Sequence, residues 1–197
     1  MKRIMVTHDG SFHADEVFST VILQELYPEY EIVRTRDQKI IDSGFLVYDI
    51  GGIYNPQQNR FDHHMKDGPK RENNHPYSSF GLIWKFYGQR YLAAIGIETQ
   101  EERNFIWKYL DEEFITWVDQ EDCNGAKDKS LTINKIVAGF NPNWDESNEL
   151  VQNQQFQAAT NFARGILGQQ IHRQQGIFKA SQFISEAYEA SKIIYWF

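Results

Sequence analysis

The stretch RIMVTHDGSFHADEVFSTVILQEL, residues 3–26, reads as a strand, a loop and a helix in immediate succession. Residues 3–7 are β-rich, and His8-Asp9-Gly10 is a loop signal. From Asp15 onward Val17, Phe18, Val21, Ile22 and Leu26 recur at helical spacing until Pro28 stops the run. A second strand is expected at 30–34 (YEIVR) and a short helix around 37–42. A third strand is expected at 45–50 (FLVYDI), whose nearly continuous apolar character suits a buried parallel strand. The alternation predicts an α/β fold, a parallel sheet with right-handed crossovers. In such sheets ligands collect at the carboxyl ends of strands, where His8 and Asp49 fall.

Residues 53–77 read as a long polar loop, of the kind that carries function, with Asp62-His63-His64 inside it. Ser78 or Ser79 can cap a helix running to about Tyr91. Thr99-x-x-Glu102 is a capping-box pattern opening a helix with Phe105, Ile106, Tyr109, Leu110, Phe114 and Trp117, which is expected to end near Val118-Asp119. A short helix at 131–139 and a turn at Asn141–Trp144 lead to two amphipathic helices, at about 146–173 and 177–196. The chain therefore divides into a catalytic domain, 1–145, and a helical extension, 146–197. The extension ends in Ile193-Ile194-Tyr195-Trp196-Phe197, an apolar end that needs a second copy or another partner against it.

A hydrophobic content of 41%, with five Trp and fourteen Phe, belongs to a folded chain and confines disorder to short loops. The net charge of −7 excludes a broad basic surface for duplex binding, so any nucleic-acid contact must be local. The single cysteine, Cys123, permits no intrachain disulfide and no thiolate-rich zinc site, and reads as a spectator. The N-terminus lacks the apolar core of a signal peptide, and no stretch approaches the length of a membrane span. These features predict a soluble, cytoplasmic protein without a membrane partner and leave organellar targeting open.

The chemistry concentrates in His8, His13, Asp15, Asp49 and Asp62-His63-His64. That many ionisable groups share a small region cheaply only if cations neutralise them. Individually, several have a rival role. Asp15 suits a helix N-cap, and Asp49 suits the Gly51-Gly52 turn. Arg34 and Arg36 could reach a phosphate through the guanidinium fork, while Arg36 could equally pair with Asp37. Lys66, Lys70, Arg71 and His75 make 60–77 the locally basic stretch, with solvated lysines as its plain reading. Mixed imidazole and carboxylate ligands favour manganese, iron or cobalt over a thiolate-rich zinc site, and manganese is the expected ion, with magnesium next.

In order and spacing, THDGSFHADE (7–16), IVRTRD (32–37), YDIGGIYNPQQNRFDHH (48–64), SSFGLIWKFYG (78–88) and VDQEDCNG (118–125) resemble one known family. It is the family of the melanocyte-proliferating-gene-one protein, a branch of the DHH phosphoesterases. The resemblance implies a parallel-sheet DHH-type catalytic domain that binds two metal ions, commonly manganese, and hydrolyses phosphoesters. It implies that His8, His13 and Asp49 hold one ion, that Asp15, Asp49, His63 and Asp119 hold the other, and that His64 faces the substrate phosphate. Asp119 is chosen over Asp122 for the last motif because it directly follows the expected helix end. Asp62 is expected to orient its neighbours and to join His64 in catalysis, with Arg36 as a substrate contact. The implied activity is a 3′–5′ exonuclease acting on single-stranded RNA or short oligonucleotides. A phosphatase of small molecules or pyrophosphate, and a non-catalytic metal-bound scaffold, are the alternatives. The family pattern continues into a second, glycine-rich substrate-binding domain, so the grip of this chain on substrate is expected to be incomplete.

Overall fold

The structure, a computed structural model, describes residues 3–127 and 129–194. Strands β1 (Ile4–Thr7), β2 (Glu31–Arg34), β3 (Leu46–Tyr48), β4 (Tyr54–Asn55) and β5 (Arg60–Phe61) form one sheet in the order β2-β1-β3-β5-β4. Every pairing is parallel except β4 with β5. The fold is thus the expected α/β class, with an antiparallel edge strand added. The helices are α1 (Ala14–Leu26), α2 (Gln38–Ser43), α3 (Ser79–Ala94), α4 (Gln100–Leu110), α5 (Thr116–Asn124), α6 (Ile133–Ala138) and α7 (Glu149–Ile194).

Alternation along the strands sorts the two faces of the sheet. Met5, Leu46, Tyr48 and Phe61 point into the main core, where α1 and α3 supply Val17, Phe18, Val21, Phe80, Leu82 and Trp84. Val6 and Val47 point the other way, onto Ile41 of α2. Phe18 and Phe80 stack at 5.0 Å between centroids, joining α1 to α3. Trp84 and Trp107 exchange indole N–H bonds with each other's backbone carbonyls, both at 3.2 Å, and so fasten α3 to α4. Gly88 permits that closeness, since a Cβ there would lie 2.8 Å from both indoles.

The structure departs from the sequence reading in three places. Residues 53–77 are not all loop: β4 and β5 lie within them, and β5 pairs with β3 so that Asp62-His63-His64 leaves the end of a strand. Two-residue strands are too short to carry a readable periodicity. The helix opened by Thr99 does not stop near Val118. It passes through a π-helical turn at Asp111–Ile115 and continues as α5 to Asn124, where Gly125 at φ +75° ends it.

The extension is one continuous 46-residue helix rather than two. Gly176 does not break it, because a glycine weakens a helix without removing a backbone donor. Phe156, Ala159, Ala163, Leu167 and Ile171 are buried at spacings of three and four, with α7 lying along α1 and α4. Phe178 meets Phe105 at 5.5 Å, and beyond it Phe183, Ile184 and Tyr188 are exposed. Of the apolar end noted in the sequence, residues 195–197 and the side chains of Ile193 and Ile194 lie outside the described residues. No helix among the described residues is long and apolar enough to cross a membrane.

Leu167→Ala is expected to cost about 2–5 kcal/mol, as deletion of a fully buried side chain does. Ile184→Ala, beyond the docked part, is expected to stay within about 0.5 kcal/mol. Urea denaturation of the two variants measures both.

Candidate metal centre

Four strands deliver side chains to one edge. His8 follows β1, Arg36 lies two residues past β2, Asp49 follows β3, and Asp62 follows β5. Asp49 is a non-glycine residue with φ +57°, a left-handed conformation that costs roughly 1–2 kcal/mol and turns the carboxylate back over the strand end. There Asp49 Oδ2 meets His8 Nε2 at 3.1 Å, and Oδ1 meets His63 Nε2 at 3.1 Å. One carboxylate therefore joins the two imidazoles.

The start of α1 completes one side. His13 is the N-cap, and its backbone N–H donates to the Glu16 carboxylate at 2.9 Å. Glu16 is fully buried, with Oε1 3.0 Å from His8 Nε2. Asp15 is fully buried rather than capping the helix, and its Oδ2 accepts from the Ser79 N–H at 3.1 Å and the Ser79 hydroxyl at 2.9 Å. The other oxygen, Oδ1, is buried without a hydrogen-bond partner. Asp122 of α5 closes the far side, its Oδ2 3.4 Å from His63 Nε2.

Of the residues singled out in the sequence, His8, His13, Asp15, Asp49, His63 and His64 come together here. Asp119 does not. It lies one helical turn before Asp122, accepts from the Ser78 hydroxyl at 2.6 Å and the Gly81 N–H at 3.0 Å, and pairs with Arg71 at 2.6 Å. Asp122, and not the expected Asp119, stands beside His63, because helix α5 does not end at Val118 and its next turn carries Asp122 there. Arg71 is not a solvated loop cation either. Its buried fork spans Asp111, at 2.9 Å, and Asp119, and it lies over the Tyr77 ring at 4.1 Å, pinning the loop that begins with His63 and His64.

Two residues escaped the sequence reading. Glu16 stands three residues after His13, the spacing of a capping box, and an acid inside the apolar run of α1 was its signal. Cys123 is no spectator, since its Sγ lies 3.5 Å from His63 Nδ1, and only tertiary contact reveals this. Asp62 has both oxygens engaged. Oδ1 accepts from the N–H groups of His63 at 2.7 Å and His64 at 3.2 Å and faces His64 Nδ1 at 2.7 Å, while Oδ2 accepts from the Gly52 N–H at 2.5 Å. It orients its neighbours. Arg36 pairs with Asp9 at 3.1 Å, not with Asp37, which caps α2. Arg34 is used structurally, donating to the Gly10 carbonyl at 2.6 Å and stacking on Phe156 at 4.6 Å.

The donor set fits divalent metal. His8, His13, Glu16 and Asp49 form one group whose ligand atoms lie within 4.8 Å of one another; Asp49, Asp62, His63 and His64 form a second; His13, Asp15 and Asp122 form a third. Electrostatics shows how much negative charge the fold gathers here. Burial, reinforced by Asp15 and Asp49, pushes Asp122 up to about 9, and burial pushes Glu16 up to about 8 against the pull of His8. Burial also opposes ionisation of Asp49, yet hydrogen bonds from His63 and His8 hold it down to about 2. Burial would lower both imidazoles, but Asp49 raises each to about 11, helped by Glu16 at His8 and by Cys123 and Asp15 at His63. Without a metal, protons supply the charge that these acids lack.

The chain matches the profile of the MYG1 exonuclease family, described as an uncharacterised protein family, UPF0160, over residues 4–194. It therefore belongs to that family. It is 33% identical to the MYG1 exonuclease of Mus musculus over 165 residues, covering 73% of this chain and 43% of the mouse protein. It is 30% identical to a MYG1 protein of Dictyostelium discoideum, covering 78% of this chain and 51% of the relative. A MYG1 protein of Chlamydia trachomatis is 34% identical, covering 71% and 45%. The chain spans about half the length of the curated relatives it matches. No solved structure matches it.

Two outcomes follow from the geometry. Asp122→Ala is expected to weaken Mn²⁺ binding at least about tenfold by titration calorimetry. Asp119→Ala should instead destabilise the fold by about 3–5 kcal/mol, because Arg71 loses a buried partner. Second, Glu16 and Asp122 titrate in the unfolded chain near 4.5 and 3.8 but near 8 and 9 in the metal-free fold. The folded state thus holds extra protons across that window, so the metal-free protein should lose stability as pH rises through it. Metal binding must expel those protons, so the rise in melting temperature on adding Mn²⁺ should grow over the same interval. A metal-induced rise that shrinks with pH would contradict this arrangement.

Proposed function

We propose that the chain carries the metal-dependent site of a phosphodiesterase, a 3′–5′ exonuclease acting on single-stranded RNA or short oligonucleotides with two divalent ions, manganese first and magnesium next. One observation carries the reading: Asp49 joins two imidazoles amid buried Asp15 and Glu16 and half-buried Asp122, at the wall of a cavity of about 660 Å³. The mouse and human relatives named exonucleases support it. On this reading His8, His13, Glu16 and Asp49 would hold one ion, and Asp15, Asp49, His63 and Asp122 the other. Bound there, the ions would supply an activated water and charge neutralisation at phosphorus.

The chain's own residues account for the rest. His64 is 61% exposed at its side chain, and Asp62 raises its pKa by accepting from Nδ1. That bond directs the opposite nitrogen, Nε2, away from Asp62 as a donor for a phosphate oxygen or a proton source for the departing oxygen. Asp62 fixes the ring while its other oxygen holds the Gly52 turn. Arg36 stands on the opposite side of His8, in a second cavity of about 510 Å³, where its guanidinium can meet another phosphate oxygen. The acidic balance of the chain and the local placement of these cations favour single-stranded or short substrates over duplex.

Hydrolysis of an end-labelled oligonucleotide in Mn²⁺ tests the proposal, with pyrophosphate and a phosphomonoester as controls. Wild type should shorten the oligonucleotide from its 3′ end, and a chelator should stop it. His64→Ala should lower kcat about a hundredfold or more while two metals stay bound. Cleavage of pyrophosphate with no attack on oligonucleotides would replace this reading with a small-molecule phosphatase. Metal binding without hydrolysis of any of the three would leave a scaffold.

A further inference from the structure

Three cavities adjoin one another in series. The Arg36 cavity and the 660 Å³ cavity share His13, Asp49 and His64, so they meet across the metal centre. The 660 Å³ cavity in turn shares Glu121, Ala126 and Asn134 with a third, of about 300 Å³, walled by Trp117. Trp117 is 58% exposed on α5, the same helix that delivers Asp122 to the site. They stand five positions apart, about 7.5 Å along the helix axis and about 140° around it, so the two side chains leave α5 on different sides.

Cations and hydrogen-bonding groups accompany this track in an otherwise acidic chain. Lys66 and Lys70 line the middle cavity and Lys127 lines the third; all three are exposed, and among the described residues none is held in an ion pair. At the junction Glu121 accepts from the Thr132 hydroxyl at 2.7 Å, and Asn134 donates to the Val118 carbonyl at 3.2 Å while its side-chain oxygen has no partner. An exposed indole beside a groove with spaced lysines has the make-up of a single-stranded nucleic-acid path, where bases stack on rings and phosphates follow the cations.

Resting on the phosphodiesterase reading, we propose that Trp117 is a stacking platform for a nucleobase of a single-stranded oligonucleotide whose scissile phosphate lies at the metal centre. Lys66 and Lys70 accompany the backbone between the two points. A dinucleotide is too short to use the platform fully, so Trp117 makes the site prefer longer strands.

The test compares KM for a pentanucleotide and a dinucleotide in Mn²⁺ for wild type, Trp117→Ala and Trp117→Phe, alongside fluorescence anisotropy of a labelled pentanucleotide. In Trp117→Ala the preference for the longer strand should fall about tenfold, and Trp117→Phe should retain most of it. An unchanged preference in Trp117→Ala overturns the proposal. If wild type cleaves neither strand, the phosphodiesterase reading has failed and anisotropy decides this one. Pentanucleotide binding weakened about tenfold by Trp117→Ala supports the platform; no binding, or equal binding, overturns it.

Discussion

Mutual repulsion among buried acids is the constraint around which this molecule is arranged. Asp15, Glu16, Asp49 and Asp122 converge at the carboxyl edge of the sheet, and all but Asp122 are nearly inaccessible to water. Carboxylates removed from solvent in one place require protons, imidazolium partners or cations. The first two are visible here, in the raised values of Glu16 and Asp122 and in the His8–Asp49–His63 chain. The rest of the fold is consistent with tolerating that cost: a parallel core beneath the site, a left-handed residue at the end of β3, and a strand added so that the histidine pair starts from a fixed point.

A second buried charge network supports the first. Arg71 reaches from the loop after His63-His64 to Asp111 and Asp119, while Asp119 binds the first turn of α3 through Ser78 and Gly81. Gly81 cannot be larger, because a Cβ there would collide with the Asp119 carboxylate. This network ties three segments together: the loop, the start of α3 and the helix bearing Asp122. Asp119 and Asp122, three residues apart, thereby take different tasks. One holds the scaffold and the other faces the His63 imidazole.

The helical extension shows how one element can serve two purposes. Up to Phe178 it is part of the core, pressed against α1 and α4 by small and branched side chains. Beyond that point the described residues are exposed, with Phe183, Ile184 and Tyr188 outward. Both halves share an amphipathic pattern in sequence, and periodicity reports that a face exists without reporting what covers it.

By itself the sequence determined the alternating strand–helix order, the positions of His8 and Asp49 at strand ends, and the Thr99 cap, which accepts from the Glu102 N–H at 3.2 Å. These are local properties: a β-rich run, a helical period or a capping residue is written in neighbouring positions. Tertiary structure decided the pairing of β5 with β3, the passage of α4 through a π-helical turn into α5, the ion pair of Arg71 with Asp119, and the places of Glu16, Cys123 and Asp122 beside the imidazoles. Those depend on contacts between segments distant in the chain. A two-residue strand takes its hydrogen bonds from its neighbour, and an acid has no preference between ligand and structural ion pair until burial and its partners are set.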